Sequence, residues 1–169
     1  MNARMLDLLG GVTPSAREQD VPEPFRAVVR EGWILDGDAQ LLAVLHSGYS
    51  GGGSQDFEDV VHYEATVNGR GMIDYDLPPS GAERLETLLR RSIGYACTAL
   101  QAVPEGRKWP LLGYVSLSEG GLEDDVLTAH VTFCSEHPGL SRYVDDVSSY
   151  VAEALLEISQ DDAAAMIVK

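Results

Sequence analysis

His62 and His130 are the residues of this sequence best suited to metal or acid–base chemistry, because each falls on the polar side of an alternating run. In Val60 to Val67, the residues Val61, Tyr63, Ala65 and Val67 point one way and His62, Glu64 and Thr66 the other. The run from Met72 to Leu77 sets Ile73, Tyr75 and Leu77 against Met72, Asp74 and Asp76. In Val126 to Ser135, the residues Leu127, Ala129, Val131 and Phe133 face a core, and Val126, Thr128, His130, Thr132 and Cys134 face away. Neighbouring strands would gather imidazoles, carboxylates and a thiol on one open face, which are the ligand types of a zinc or related site. The spacing specifies no such site, since HxH, HxxxH and HExxH are all missing. His62 and His130 stand as weak metal candidates, and the expectation is a protein with no bound metal or cofactor.

Nucleophilic chemistry finds less. Cys134-Ser135-Glu136-His137 puts a thiol near an imidazole, but so local a pair needs a third orienting group that the sequence does not identify. Gly48-Tyr49-Ser50-Gly51 only approximates a nucleophile elbow and lacks its strand–turn–helix setting. The Gly/Ser-rich stretch Ser47 to Gln55 ends in Asp56-Phe57-Glu58-Asp59 rather than Gly-Lys-Ser/Thr, so it would repel a phosphate. Cys97 lies mid-way along an apolar helix and reads as a packing residue. No catalytic residue is assigned. Arg84, Arg90, Arg91, Arg107 and Lys108 form the basic cluster, with Arg84 and Arg91 placed to pair with the chain's own carboxylates.

The elements that must position these residues read as one α+β domain. Residues 1–21 are expected to form a mobile arm, 22–158 a single domain, and 159–169 a tail. A short helix from Phe25 to Glu31 precedes a strand from Gln40 to His46. Val60–Val67 and Met72–Leu77 then form a hairpin through Asn68-Gly69. A capping box, Ser80-x-x-Glu83, starts a long helix reaching about Ala102. Two strands follow, Leu111 to Ser118 and Val126 to Ser135, joined by Glu119-Gly120-Gly121, and a closing helix covers about Ser141 to Ile158. The expected order is α-β-β-β-α-β-β-α, an antiparallel sheet of about five strands with helices on one face. The apolar arc of the long helix is roughly 200° wide, against the ~100° that one sheet contact needs. That excess predicts a homodimer burying Leu88, Tyr95 or Ala99.

Charge narrows the function. The chain of 169 residues has 12 basic and 27 acidic side chains, a formal net charge of −15. Residues 111–169 alone hold two basic and eleven acidic groups. Such a field repels nucleic acid and anionic membrane and would steer a basic polypeptide. Asp124, Asp125, Asp145 and Asp146 are the acidic partner-binding candidates. Two cysteines 37 positions apart, no export signal and no membrane-spanning run imply reduced thiols and a soluble, cytoplasmic protein.

The order of elements between Pro24 and Ile158 resembles the type III secretion chaperone fold, shared by YbjN-like proteins. The resemblance rests on Leu41–His46, Val60–Val67, Met72–Leu77, Ala82–Val103, Leu111–Leu117, Val126–Cys134 and the closing helix. It implies a homodimer that binds a partner protein along apolar surface, and it carries no catalytic residues. The leading expectation is therefore a non-enzymatic partner-binding protein, chaperone-like or of the inhibitor (immunity) type. A small enzyme or metal-dependent protein built around His62 and His130, and a small-molecule-binding domain, are the alternatives.

Overall fold

The computed structural model describes residues 1–12, 14–119 and 126–168. In chain order the elements are α1 (Ala3–Leu8), α2 (Glu23–Glu31), β1 (Trp33–Asp36), β2 (Ala39–Leu42), α3 (Ala43–Ser47), α4 (Val60–Asn68), β3 (Arg70–Gly71), α5 (Ala82–Gln101), β4 (Leu111–Glu119), β5 (Leu127–Ser135), β6 (Ala154–Ile158) and α6 (Gln160–Met166). The α+β class is as expected. The sheet is not one of five strands: β1 and β2 form a hairpin of their own, and the main sheet runs β3-β5-β4-β6, all antiparallel. Gly37, at φ 61°, makes the tight hairpin turn after Asp36 that a side chain would resist.

Alternation along the long strands divides the sheet into two faces. Val115, Leu117, Val131, Phe133, Leu156 and Ile158 form the inner face and belong to the main core with α5. Phe133 meets Trp33 and Tyr95 edge-on, at ring-centroid distances of 5.5 and 5.6 Å. Leu112, Tyr114, Cys134 and Leu155 point the other way, into a second cluster with Val61 and Ala65 of α4. Helices therefore cover both faces rather than one.

Several elements differ from expectation for identifiable reasons. Val60–Asn68 is helix, not strand. Asp59 caps it by accepting from the His62 N–H at 2.9 Å, and its apolar residues serve two surfaces at i,i+4 spacing. Val61 and Ala65 meet the sheet, while Tyr63 and Val67 pack with Ala39 and Leu41. Glu64 and Asn68 form the third side, which is buried and polar. Glu64 accepts from the Gln40 N–H (2.7 Å), the Ser135 N–H (2.5 Å) and the Ser135 hydroxyl (2.9 Å). Asn68 accepts from the Leu42 N–H and donates to the Gln40 and Phe133 carbonyls. These side chains satisfy the open edges of β2 and β5 in place of another strand.

Met72 makes one more bond to β5, from its N–H to the Ala129 carbonyl, and the chain then leaves the sheet instead of continuing to Leu77 as a strand. Arg84 holds Asp74, and Arg91 grips Asp76 through two bonds of 2.8 and 2.6 Å. The strand expected to reach His46 stops at Leu42 and becomes α3. The expected capping box is not formed, because Gly81 is the cap of α5 and no side chain bonds there. The closing helix is replaced by an irregular segment and then β6, whose apolar residues extend the sheet beside β4.

The termini are neither arm nor tail. The Asn2 N–H donates to the Leu155 carbonyl, and its side-chain oxygen accepts from the Leu155 N–H, both at 3.0 Å. Met5, Ala16 and Val21 join the main core, as does Ala163 of α6. Consequently α5 is enclosed by the sheet, α2, α6 and the turn at Glu18–Asp20. Leu88, Tyr95 and Ala99 are 0% exposed within the single chain, so its wide apolar arc is filled by the chain itself and these residues offer nothing to a second copy. Among the described residues, no helix is long and apolar enough to cross a membrane.

Candidate functional site

Two cross-strand rows on the outer face build the floor of a cleft. Tyr114 is opposite Thr132 on one side and Glu157 on the other, and Ser116 is opposite His130 and Leu155. The small Ser116 leaves a hollow between larger neighbours. Tyr143, Tyr150 and Glu153, from the irregular segment between β5 and β6, wall that hollow and leave a cleft of about 230 Å³. Tyr143 meets Tyr114 edge-on at 5.3 Å. Asn2 anchors the far end of the wall by donating to the Tyr150 and Glu153 carbonyls at 2.8 and 2.7 Å, and Arg4 donates to the Ala152 carbonyl at 3.0 Å.

The cleft is electrostatically one-sided. Burial pushes the Tyr114 phenol far above its ordinary value, with Cys134 and Glu157 adding to the shift, and burial raises Tyr143 as well. Both rings therefore present neutral π faces. Burial holds the His130 imidazole below its ordinary 6.5, with the Glu153 charge pulling the other way. Glu153 lines the cleft itself. Nearby Arg142 is occupied by Glu136 at 2.9 Å and Glu157 at 3.0 Å, and Arg70 by the carbonyls of Val67 and Gly69. Ser116, His130 and Glu153 are the residue types of an acyl-transfer triad. Among the described residues no hydrogen bond joins any two of them.

On the same irregular segment Leu140 and Val151 are exposed outside the cleft, and Tyr143 of its wall is 40% exposed. Asp145 and Asp146 stand exposed beside them. Asp146 turns its carboxylate onto the Ser148 hydroxyl and N–H, which hold it below the usual carboxylate range. Asp124 and Asp125 lie outside the described residues, as does the Gly120-Gly121 part of the expected turn.

The chemistry-bearing residues of the sequence are dispersed. His62 is on the exposed side of α4, 2.8 Å from Asp59, and does not share a sheet face with His130. Glu64 is sealed inside, and Asp74 and Asp76 are engaged by arginines. Cys134 is covered on the outer face, and burial raises its thiol. Burial pushes Cys97 up to about 12. Among the described residues no group of three or more His, Cys, Asp or Glu side chains is placed to hold a metal ion. Of the expected site residues, the structure brings His130 to the cleft and sets Asp145 and Asp146 on its flank. Tyr114 and Ser116 were legible as alternate positions of β4. Tyr143, Tyr150 and Glu153 were hidden in a segment read as helix.

No family model, curated protein or solved structure matches this chain. The resemblance to the secretion-chaperone fold leaned on Val60–Val67 and Met72–Leu77 as strands and on a closing helix, all of which take other conformations.

Proposed function

We propose that this chain is a non-enzymatic acidic protein that binds a basic polypeptide, as a chaperone or inhibitor of it, and that the outer cleft receives a lysine or arginine side chain of that partner. The supporting observation is the cleft's composition: the rings of Tyr114, Tyr143 and Tyr150 with Glu153. A cation is attracted to such ring faces by about 0.5–2 kcal/mol, more as water is excluded, and a carboxylate adds charge pairing. At about 230 Å³ the cleft falls below the ~300–1,000 Å³ usual for whole small molecules and suits one side chain. Leu140 and Val151 supply apolar contact around it. Asp145 and Asp146 add the long-range attraction that speeds encounter.

The test is surface plasmon resonance of the immobilised chain against a Lys/Arg-rich peptide, with an acidic peptide of equal length as control, across a salt series. Only the basic peptide is expected to bind. Its on-rate should fall as salt rises, and on the order of tenfold at low salt when Asp145 and Asp146 are both changed to lysine. Tyr143→Ala with Glu153→Gln should instead hasten dissociation. Equal binding of both peptides, or binding indifferent to salt and to all four substitutions, overturns the reading.

A further inference from the structure

A second cleft, of about 320 Å³, opens between the tip of the β1–β2 hairpin and the turn at residues 104–109, and it shares no residue with the tyrosine cleft. Its walls include Leu35, Pro104, Trp109 and Gln40, the cations Arg107 and Lys108, and the exposed carboxylates Asp38 and Glu105. Gln40 is 2% exposed. Its amide nitrogen donates to the Trp109 carbonyl at 2.9 Å and to the Ser135 hydroxyl at 2.8 Å. A carbonyl can only accept, so the orientation of the amide is determined, and Gln40 Oε1 is left as a buried acceptor with no partner. Two buried donors in the same walls also have none: Arg107 Nε, whose Nη2 is occupied by the Trp33 carbonyl, and Trp109 Nε1. Buried polar groups ordinarily find partners, and three residues that line this one cleft carry two donors and one acceptor without any.

Two cations and two carboxylates line the cleft, so its formal charge is balanced where the chain as a whole is strongly negative. In a strongly acidic chain, Arg107 and Lys108 are adjacent cations with no carboxylate partner among the described residues. Lys108 Nζ lies 4.3 Å from the centre of the Trp109 ring, at the exposed mouth. Leu35 is 57% exposed, and because the three unpartnered atoms are themselves buried, a ligand reaches them only when side chains of the walls move. The register of β1 also leaves Leu35 facing away from β2. Its cross-strand partner Gln40 gives its own N–H and carbonyl to α4 instead, so the Leu35 N–H and carbonyl lie along the free edge.

We infer that this cleft binds a carboxylate with an amide N–H beside it: the C-terminal residue of a polypeptide or a free N-acyl amino acid. The carboxylate takes the Arg107 and Trp109 N–H donors with Lys108 at its side. The amide N–H meets Gln40 Oε1, and an apolar side chain rests against Leu35 and Pro104. A polypeptide would gain further bonds along the Leu35 edge, which is strand addition joined to capture of a chain end.

The test follows the Trp109 indole N–H resonance during titration with N-acetyl-leucine, N-acetyl-leucine amide and acetyl-Gly-Gly-Leu. Both acids should shift it saturably, and the neutral amide should bind about tenfold more weakly or worse. Tighter binding of the tripeptide identifies a chain end as the ligand, and equal binding identifies the free acyl amino acid. Arg107→Leu should abolish the response, while Arg90→Leu, on the exposed side of α5, leaves it intact. Trp109→Phe keeps the ring and removes only the N–H, so it weakens binding read from the Gln40 side-chain amide even if Arg107→Leu disturbs the fold. No shift with either acid, or equal shifts with acid and amide, overturns the inference.

Discussion

The two faces of the main sheet come from the same strands and differ in almost everything else. The inner face is apolar along β4, β5 and β6, apart from Gly113, Glu119 and Ser135, and it is closed by α5 and by both chain termini. The outer face alternates Tyr114, Ser116, His130 and Thr132. One half of it is covered by α4 and the other by a segment with only one 3-10 turn, Val147–Ser149. One-residue alternation thus separates a surface that holds the molecule together from one that leaves a shaped opening. On this sheet, burial marks the part that specifies the fold, and incomplete cover marks the part available for binding.

The largest effect expected from this contrast is on the inner face. Phe133→Ala removes a ring shared by Trp33 and Tyr95 in a closed core and should cost about 3–5 kcal/mol in urea unfolding. A loss under about 1 kcal/mol would mean that the inner face is not the stabilising one.

Glu64, at the junction of α4 with β2 and β5, should give a smaller loss with a distinctive pH dependence. Burial raises its carboxyl above the ordinary 4.5, although the Gln40 and Ser135 donors oppose the shift. Above the unfolded value near 4.5, the folded chain keeps a proton that the unfolded chain has released. The contribution of Glu64 to stability therefore falls as pH rises from there through its raised value. Glu64→Gln should remove that slope from the variant, so that the difference between variant and parent carries it. It should also cost about 1–3 kcal/mol, because an amide N–H then confronts a backbone donor. A difference that is flat from pH 4.5 to neutrality would show that the carboxyl is not raised.

The smallest effect belongs to the outer face. Tyr143→Ala trims a ring that is 40% exposed and should change stability by less than about 1 kcal/mol while weakening the basic peptide. If it destabilises as much as Phe133→Ala, the outer segment is part of the core and the contrast between the faces fails.

The sequence by itself determined what local pattern and charge can determine. The long strands β4 and β5, the twenty-residue α5, the α+β class and the negative field were all legible, because each is written in nearest-neighbour alternation, helical periodicity or a count of charges. His130 facing away from the core followed from the same alternation. Only the tertiary structure decided the rest. Val61, Tyr63, Ala65 and Val67 satisfy a strand face and, in pairs at i,i+4, two helix faces. Local pattern could not separate these readings until the sheet and the β1–β2 hairpin each supplied a surface to cover. The wide arc of α5 called for more cover than one sheet gives, but nothing local states whether that cover is a second chain or the chain's own ends. Asn2 reaching Leu155 is a contact across most of the chain length, and α6 closing over α5 is another long-range one. The tyrosine cleft is of the same kind. Its floor is set by strand register and its wall by an irregular segment tied down by Asn2, so its residues acquire a common purpose only when distant parts of the chain meet.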